Sequence, residues 1–94
     1  MNEDEPFEMP IEDAIDLHPF QPGEIRDVAL DYLVAAREKG FREVRLIHGR
    51  GTGVQRGLVQ QALERHPLVA TFWDASDAHL GATVARLKEE DDGR

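Results

Sequence analysis

"FREVRLIHGRGTGVQRGLVQQALERHP", residues 41–67, contains three kinds of local order in succession. Residues 41–48 are rich in β-branched and apolar side chains and read as a strand. Glycines then stand at 49, 51, 53 and 57, a density that costs backbone entropy and needs a reason. Beyond them, Val54, Leu58, Val59, Ala62 and Leu63 return at the spacing of a helix with one buried stripe, which Pro67 ends. A strand that runs through a glycine loop into a helix is the repeating unit of an α/β fold, so the flanking sequence decides how far the pattern extends.

Upstream, "AIDLHP" (14–19) alternates with period two and reads as a strand that stops at Pro19, with Ile15 and Leu17 on one side and Ala14, Asp16 and His18 on the other. Between it and residue 41, Ile25, Val28, Ala29, Tyr32, Leu33 and Ala36 mark a helix, with Pro22 in its first turn and Gly40 at its stop. Downstream, "LVATFWD" (68–74) reads as a third strand, "ASDAHLG" (75–81) as a polar connection and "ATVARLK" (82–88) as a fourth strand. The order βαβαββ predicts a two-layer α/β sandwich: a four-stranded mixed sheet with both helices on one face. The first strands are expected to pair in parallel, and the short 75–81 connection allows an antiparallel final pair. If Ile15 and Leu17 face the helices, Asp16 and His18 face the open side.

Ninety-four residues are enough for one domain. Its expected limits are 14–88, with an acidic leader at 1–13 and an acidic tail at 89–94. The net charge of −8 argues at first against nucleic acid, but the leader carries −6 and the tail −3, leaving +1 between them. Seven of the basic residues lie between Arg26 and Arg56. There is no cysteine, so disulfides, thiolate metal sites and thiol nucleophiles are excluded. The N-terminus has neither the basic nor the apolar region of a signal peptide, and no apolar run could span a bilayer. A cytoplasmic protein without membrane contact is expected.

Ligands of open α/β sheets bind beyond the carboxyl ends of the parallel strands. His18 ends the first strand and His48 the second, so both are expected at one edge of the sheet, beside Asp16 and the glycine loop. Asp16 and His18 lie two apart on one strand face, with Cα atoms roughly 6.5 to 7 Å apart, and can act on one phosphodiester. His18 would then be the general acid or base and Asp16 its orienter. No further histidines or acids cluster with them, so no metal site is expected. The loop is neither a Walker A nor a dinucleotide fingerprint: counted from Gly49 the third glycine position is Val54, and counted from Gly51 it is Arg56. A phosphate cradle at a helix N-terminus, with Arg50 and Arg56 adding positive charge, and a plain tight turn both remain open. Trp73 is either core or a base-stacking residue. His66 reads as a capping or surface residue, and His79 lies in the connection.

"IDLH", "RLIHGRGTGVQRGLVQQAL" and "GATVARL" together resemble the three blocks of the Smr (small MutS-related) domain family, in order and spacing, from about Ala14 to Lys88. The resemblance implies a fold like the C-terminal domain of a bacterial translation initiation factor, and endonuclease chemistry in which a divalent metal is optional and no cofactor is required. Among relatives this extends from nicking of branched or duplex DNA to cleavage of RNA, including mRNA on stalled ribosomes. The family's D-x-H motif falls on Asp16 and His18 and its G-x-G loop on Gly51, Thr52 and Gly53, with His48, Gly49 and Arg50 just before. Pro19 stands where the family usually has glycine, and the third block keeps only Gly81 of its usual glycines.

The resulting expectation is a stand-alone Smr endonuclease acting on DNA or RNA, in a repair or ribosome-associated setting. Its catalytic residues would be His18, Asp16 and His48, and its phosphate contacts Gly49, Arg50, Gly51, Thr52, Gly53, Arg56 and Gly81. The alternatives are a non-catalytic module that binds nucleic acid or a protein partner, and a binder of nucleotides or small anions.

Overall fold

The computed structural model of the chain describes residues 11–49, 53–75 and 81–89. Leader residues 1–10, the loop residues Arg50, Gly51 and Thr52, the stretch 76–80 with His79, and tail residues 90–94 lie outside the described residues. In chain order the elements are β1 (Ala14–Asp16), α1 (Pro22–Glu38), β2 (Glu43–Ile47), α2 (Val54–Arg65), β3 (Val69–Asp74) and β4 (Ala82–Leu87). The strands form one four-stranded sheet in the order β1-β2-β4-β3. β1 is parallel to β2, and β4 is antiparallel to both β2 and β3.

Each element ends for a local reason. β1 is short because the chain turns as soon as it leaves the ladder. The Leu17 N–H still donates to the Ile47 carbonyl at 2.7 Å, but Phe20 N–H then closes a turn onto the Leu17 carbonyl, with Pro19 inside it. α1 opens with Pro22 at its first position, and the Glu24 carboxylate reaches back to accept from the Gln21 N–H at 3.0 Å. Its buried stripe is Ile25, Ala29, Tyr32, Leu33 and Ala36.

That stripe packs with Val59 and Leu63 of α2 against Leu17, Val44, Leu46, Val69, Ala85 and Leu87, which all point to the same face of the sheet. Both helices therefore cover one face. A smaller buried cluster of Ala75, Ala82 and Val84, with Ile47 against it, lies on the other. β4 sits between β2 and β3, a neighbour relation that alternation along the chain does not encode. Its central place accounts for burial on both faces, from Ala82 to Ala85 and again at Leu87.

Residues 11–13, which composition groups with the leader, already touch the fold. Ile11 packs on the core, the Tyr32 hydroxyl donates to the Glu12 carbonyl, and the Arg45 N–H donates to the Asp13 carbonyl. Burial, with Asp13 and Glu12 nearby, pushes the Tyr32 phenol well above its ordinary range. Among the described residues no helix is long and apolar enough to cross a membrane.

His66 fixes the exit of α2. It is buried, and its Nδ1 accepts from the Leu68 N–H at 3.0 Å, so the neutral ring carries its proton on Nε2. Burial lowers its pKa from 6.5. A histidine held neutral in the fold contributes stability that is full above the unfolded pKa and is lost as pH falls through the lower folded value. Thermal melts from pH 8 to pH 5 are expected to show this loss, and His66→Gln should remove part of the acid slope while lowering stability at pH 8. An unchanged slope would show that His66 is not the titrating group.

Candidate active site

β1 delivers two side chains to the face away from the helices. Ile15 aligns with Leu46 and faces the core, so Asp16, aligned with Ile47, must project to the other side. Leu17 returns to the core with no exposed surface, and His18 points out again. The Asp16 Oδ1 accepts both the His18 backbone N–H at 3.1 Å and the His18 ring at 2.6 Å through Nδ1. Because a carboxylate only accepts, Nδ1 carries a proton, and in the neutral ring Nε2 keeps its lone pair. Among the described residues Nε2 has no hydrogen-bond partner, and the side chain is 61% exposed. A histidine held by a carboxylate, with the far nitrogen open to solvent, is arranged for proton transfer to or from a bound group.

His48 sits at the same sheet edge but on the opposite face. It shares the parity of Val44 and Leu46 and is only 4% exposed. The Gly49 carbonyl accepts from Nδ1 at 3.1 Å and Nε2 lies 2.9 Å from the Thr83 hydroxyl. The Gln60 amide donates to that hydroxyl at 3.0 Å and to Asp74 Oδ1 at 3.0 Å. The Thr83 hydroxyl thus accepts from Gln60 and donates to His48, which fixes His48 as the Nδ1–H tautomer. Arg56 closes the chain with two bonds to Asp74, Nε to Oδ1 at 2.9 Å and Nη2 to Oδ2 at 2.7 Å. The guanidinium holds the Asp74 carboxyl below the usual carboxylate range.

Of the residues expected to act together, Asp16, His18 and Gly49 do meet: a Cβ placed on Gly49 would lie 3.4 Å from the His18 Cβ. Gly49 and Gly53 have φ of 85° and 94°, a region that residues with a Cβ enter at a cost of roughly 1 to 2 kcal/mol. The plain need of a turn therefore explains these two glycines. The Gly81 carbonyl accepts from the N–H groups of both His48 and Gly49, at 2.9 and 3.0 Å, and ties β4 to the root of the loop. His48 differs from the expectation: it faces the helices, and both ring nitrogens are engaged within the fold. Arg56 is likewise paired with Asp74. Arg50, Gly51 and Thr52, the middle of the expected phosphate cradle, fall outside the described residues. Among the described residues no three His, Cys, Asp or Glu side chains converge as a metal-binding group.

Sequence reasoning missed Thr83, Gln60 and Asp74. The available signal was a threonine in a buried strand, two residues from Ala85 and thus on its helix-facing side. Gln55 also escaped notice; its side-chain amide donates to the Phe20 carbonyl at 2.9 Å and joins the first turn of α2 to the segment after His18.

A profile described as the Smr domain matches residues 15–88. The chain belongs to the Smr domain family. It is 37% identical over 84 residues to an endonuclease MutS2 from Caldicellulosiruptor saccharolyticus, a match covering 83% of this chain and 11% of the relative. The chain therefore spans about a tenth of the length of such relatives. Its fold superposes on the crystal structure of the Smr domain of Thermus thermophilus MutS2 with a TM-score of 0.76 and 32% identity, covering 83% of this chain and 100% of that one. It also superposes on YdaL, a stand-alone small MutS-related protein from Escherichia coli, with a TM-score of 0.74, 24% identity, and coverage of 82% and 65%.

Thr83→Val tests the internal chain. The replacement keeps the volume but leaves His48 Nε2 and one Gln60 N–H without a partner, so chemical denaturation should register a loss of about 1 to 3 kcal/mol, which Thr83→Ser restores. Equal stability of the valine variant would mean that the hydroxyl does not bridge the two side chains.

Proposed function

We propose that this chain cleaves nucleic-acid phosphodiesters, with His18 as the proton-transfer residue and Asp16 as the group that fixes its tautomer. One observation carries the reading: the 2.6 Å bond between His18 Nδ1 and Asp16, which leaves Nε2 exposed on the face away from the helices. Kinship with proteins named as endonucleases supports it, and the activity of a relative matched over about a tenth of its length is carried to this chain only as part of the proposal.

On RNA, Nε2 takes the proton from the ribose 2′-hydroxyl as that oxygen attacks phosphorus. The bond to the 5′-oxygen breaks, and the same proton, passed on by the imidazolium, neutralises the leaving oxygen. The products are a 2′,3′-cyclic phosphate and a 5′-hydroxyl. On DNA, which lacks the 2′-hydroxyl, Nε2 would instead deprotonate an attacking water; as its oxygen bonds to phosphorus, one bridging P–O bond breaks and the imidazolium returns the proton to the leaving oxygen. Asp16 stabilises the imidazolium in either case. The route asks for proton transfer at one histidine, so no metal or other cofactor is needed for it.

By family resemblance, Arg50, Gly51 and Thr52, with Gly49 and Gly53 at either end, cradle the scissile phosphate. His48 takes a different part from the one expected of it. Bound to the Gly49 carbonyl and to Thr83, it is a positioning residue that holds the root of this loop beside His18. Gly81 serves the same end through its carbonyl, and Arg56 through Asp74. The charge balance, with the acid gathered at the two ends of the sequence, and the lack of cysteine agree with work on nucleic acid in the cytoplasm, within a repair or ribosome-associated assembly.

Cleavage of labelled RNA and DNA, single-stranded and duplex, in the presence of EDTA is the direct test. The wild-type chain should yield product, and His18→Ala and Asp16→Asn should each lower the rate by about 10²- to 10⁴-fold while melting as cooperatively as wild type. Cyclic-phosphate ends would identify the 2′-hydroxyl route. Unchanged cleavage by His18→Ala would overturn the assignment. Salt-sensitive binding with no product from wild type at high concentration would make the chain a binding module instead.

A further inference from the structure

We infer that Trp73 is a stacking platform for an unpaired base of the strand that is cut at His18, an inference that rests on the cleavage reading above. The strand register places the ring. Ala14 aligns with Arg45, Arg45 with Val84, and Val84 with Trp73, which makes one row across all four strands. Asp16 begins the next row, aligned with Ile47 and, through it, with Ala82. The residues that alternate with them along the strands, Ile15 and Leu46 between the two rows and Phe72 and Ala85 on the other side of the Trp73 row, pack on the helix-side core, so Trp73 and Asp16 share the opposite face. Three strand spacings and one two-residue step put their Cα atoms about 16 Å apart. An extended strand leaving His18 reaches the indole within a few nucleotides.

The surroundings decide what kind of partner fits. Trp73 is 40% exposed, and the other exposed large apolar side chains among the described residues, Phe20, Val34 and Val54, lie outside the strands. Beside it Val84, Ala82 and Ala75 are already buried. Among the described residues the free apolar surface of this face is therefore little more than one aromatic ring. A stable protein partner needs roughly 800 Å² of matching surface on each side, whereas a nucleobase needs one flat ring. Arg45 lies in the same row and Arg86 in the row beyond it, Arg86 ion-paired with Glu43, so the ring is bordered by polar side chains. Stacking of this kind takes unpaired bases and tolerates any sequence, so the preferred substrate is a single-stranded segment.

Trp73 is the only tryptophan in the chain, so tryptophan-selective fluorescence reports on this ring alone. In a His18→Ala background, which keeps the strand intact, titration with a single-stranded oligonucleotide should quench the emission. A blunt duplex and an abasic strand of the same length should leave it nearly unchanged. Trp73→Ala should weaken binding of a labelled oligonucleotide by about 5- to 150-fold, and Trp73→Phe by less. Binding without quenching, quenching by the abasic strand or the duplex, or wild-type affinity of Trp73→Ala would each overturn the stacking platform and leave the cleavage reading standing. A shift of emission on dilution of the protein alone would assign the face to a second copy of the chain and overturn it too. Absence of both binding and cleavage would remove the cleavage reading and the platform with it.

Discussion

A strand that buries Leu17 must expose Asp16 and His18, because consecutive side chains leave opposite faces of a sheet. The site depends on this constraint. Parallel pairing with β2 sets Asp16 beside Ile47 and Ile15 beside Leu46, and the same parity carried along β2 turns His48 inward. The two histidines reach one edge of the sheet and then part: one is exposed, with no partner on its Nε2 among the described residues, and the other is sealed under Thr83. A slip of one residue in β1 would turn Asp16 and His18 toward the helices and put Leu17 in water.

Much of the fold was legible because its signals are local. The stripe from Ile25 to Ala36, the stop at Gly40, the return of helical spacing at Val54 and the alternation around Leu17 each depend on neighbours in sequence. The insertion of β4 between β2 and β3 was not legible, since the pairing of Leu46 with Thr83 joins residues far apart in the chain. The site divides in the same way. Asp16 and His18 form a contact over two residues and could be read from "IDLH". The inward turn of His48 was available in its parity with Val44 and Leu46, but the rule that ligands bind at strand ends, which speaks of the edge and not the face, hid it.

The chain from His48 through Thr83, Gln60 and Asp74 to Arg56 joins β2, β4, α2 and β3, and no local pattern announces it. It also changes the electrostatic picture. Arg56 looked like a cation for phosphate, yet its two bonds to Asp74 pair that charge with a carboxylate at the surface. The turn geometry of Gly49 and Gly53, the bonds to the Gly81 carbonyl and the engaged ring of His48 together fix where the loop leaves β2 and where it enters α2. What the loop offers to a phosphate then depends on the backbone and side chains between those two fixed ends.

One histidine is held by a carboxylate, with no partner on its outer nitrogen among the described residues, while another is locked inside the fold. Long-range ¹H–¹⁵N correlation spectra of the imidazole rings at neutral to mildly alkaline pH test it directly. The Nδ1–H tautomer is expected for His18 and His48 and the Nε2–H tautomer for His66, with Asp16→Asn disturbing the His18 pattern alone. A His18 ring in the Nε2–H form, or one indifferent to Asp16→Asn, would contradict it.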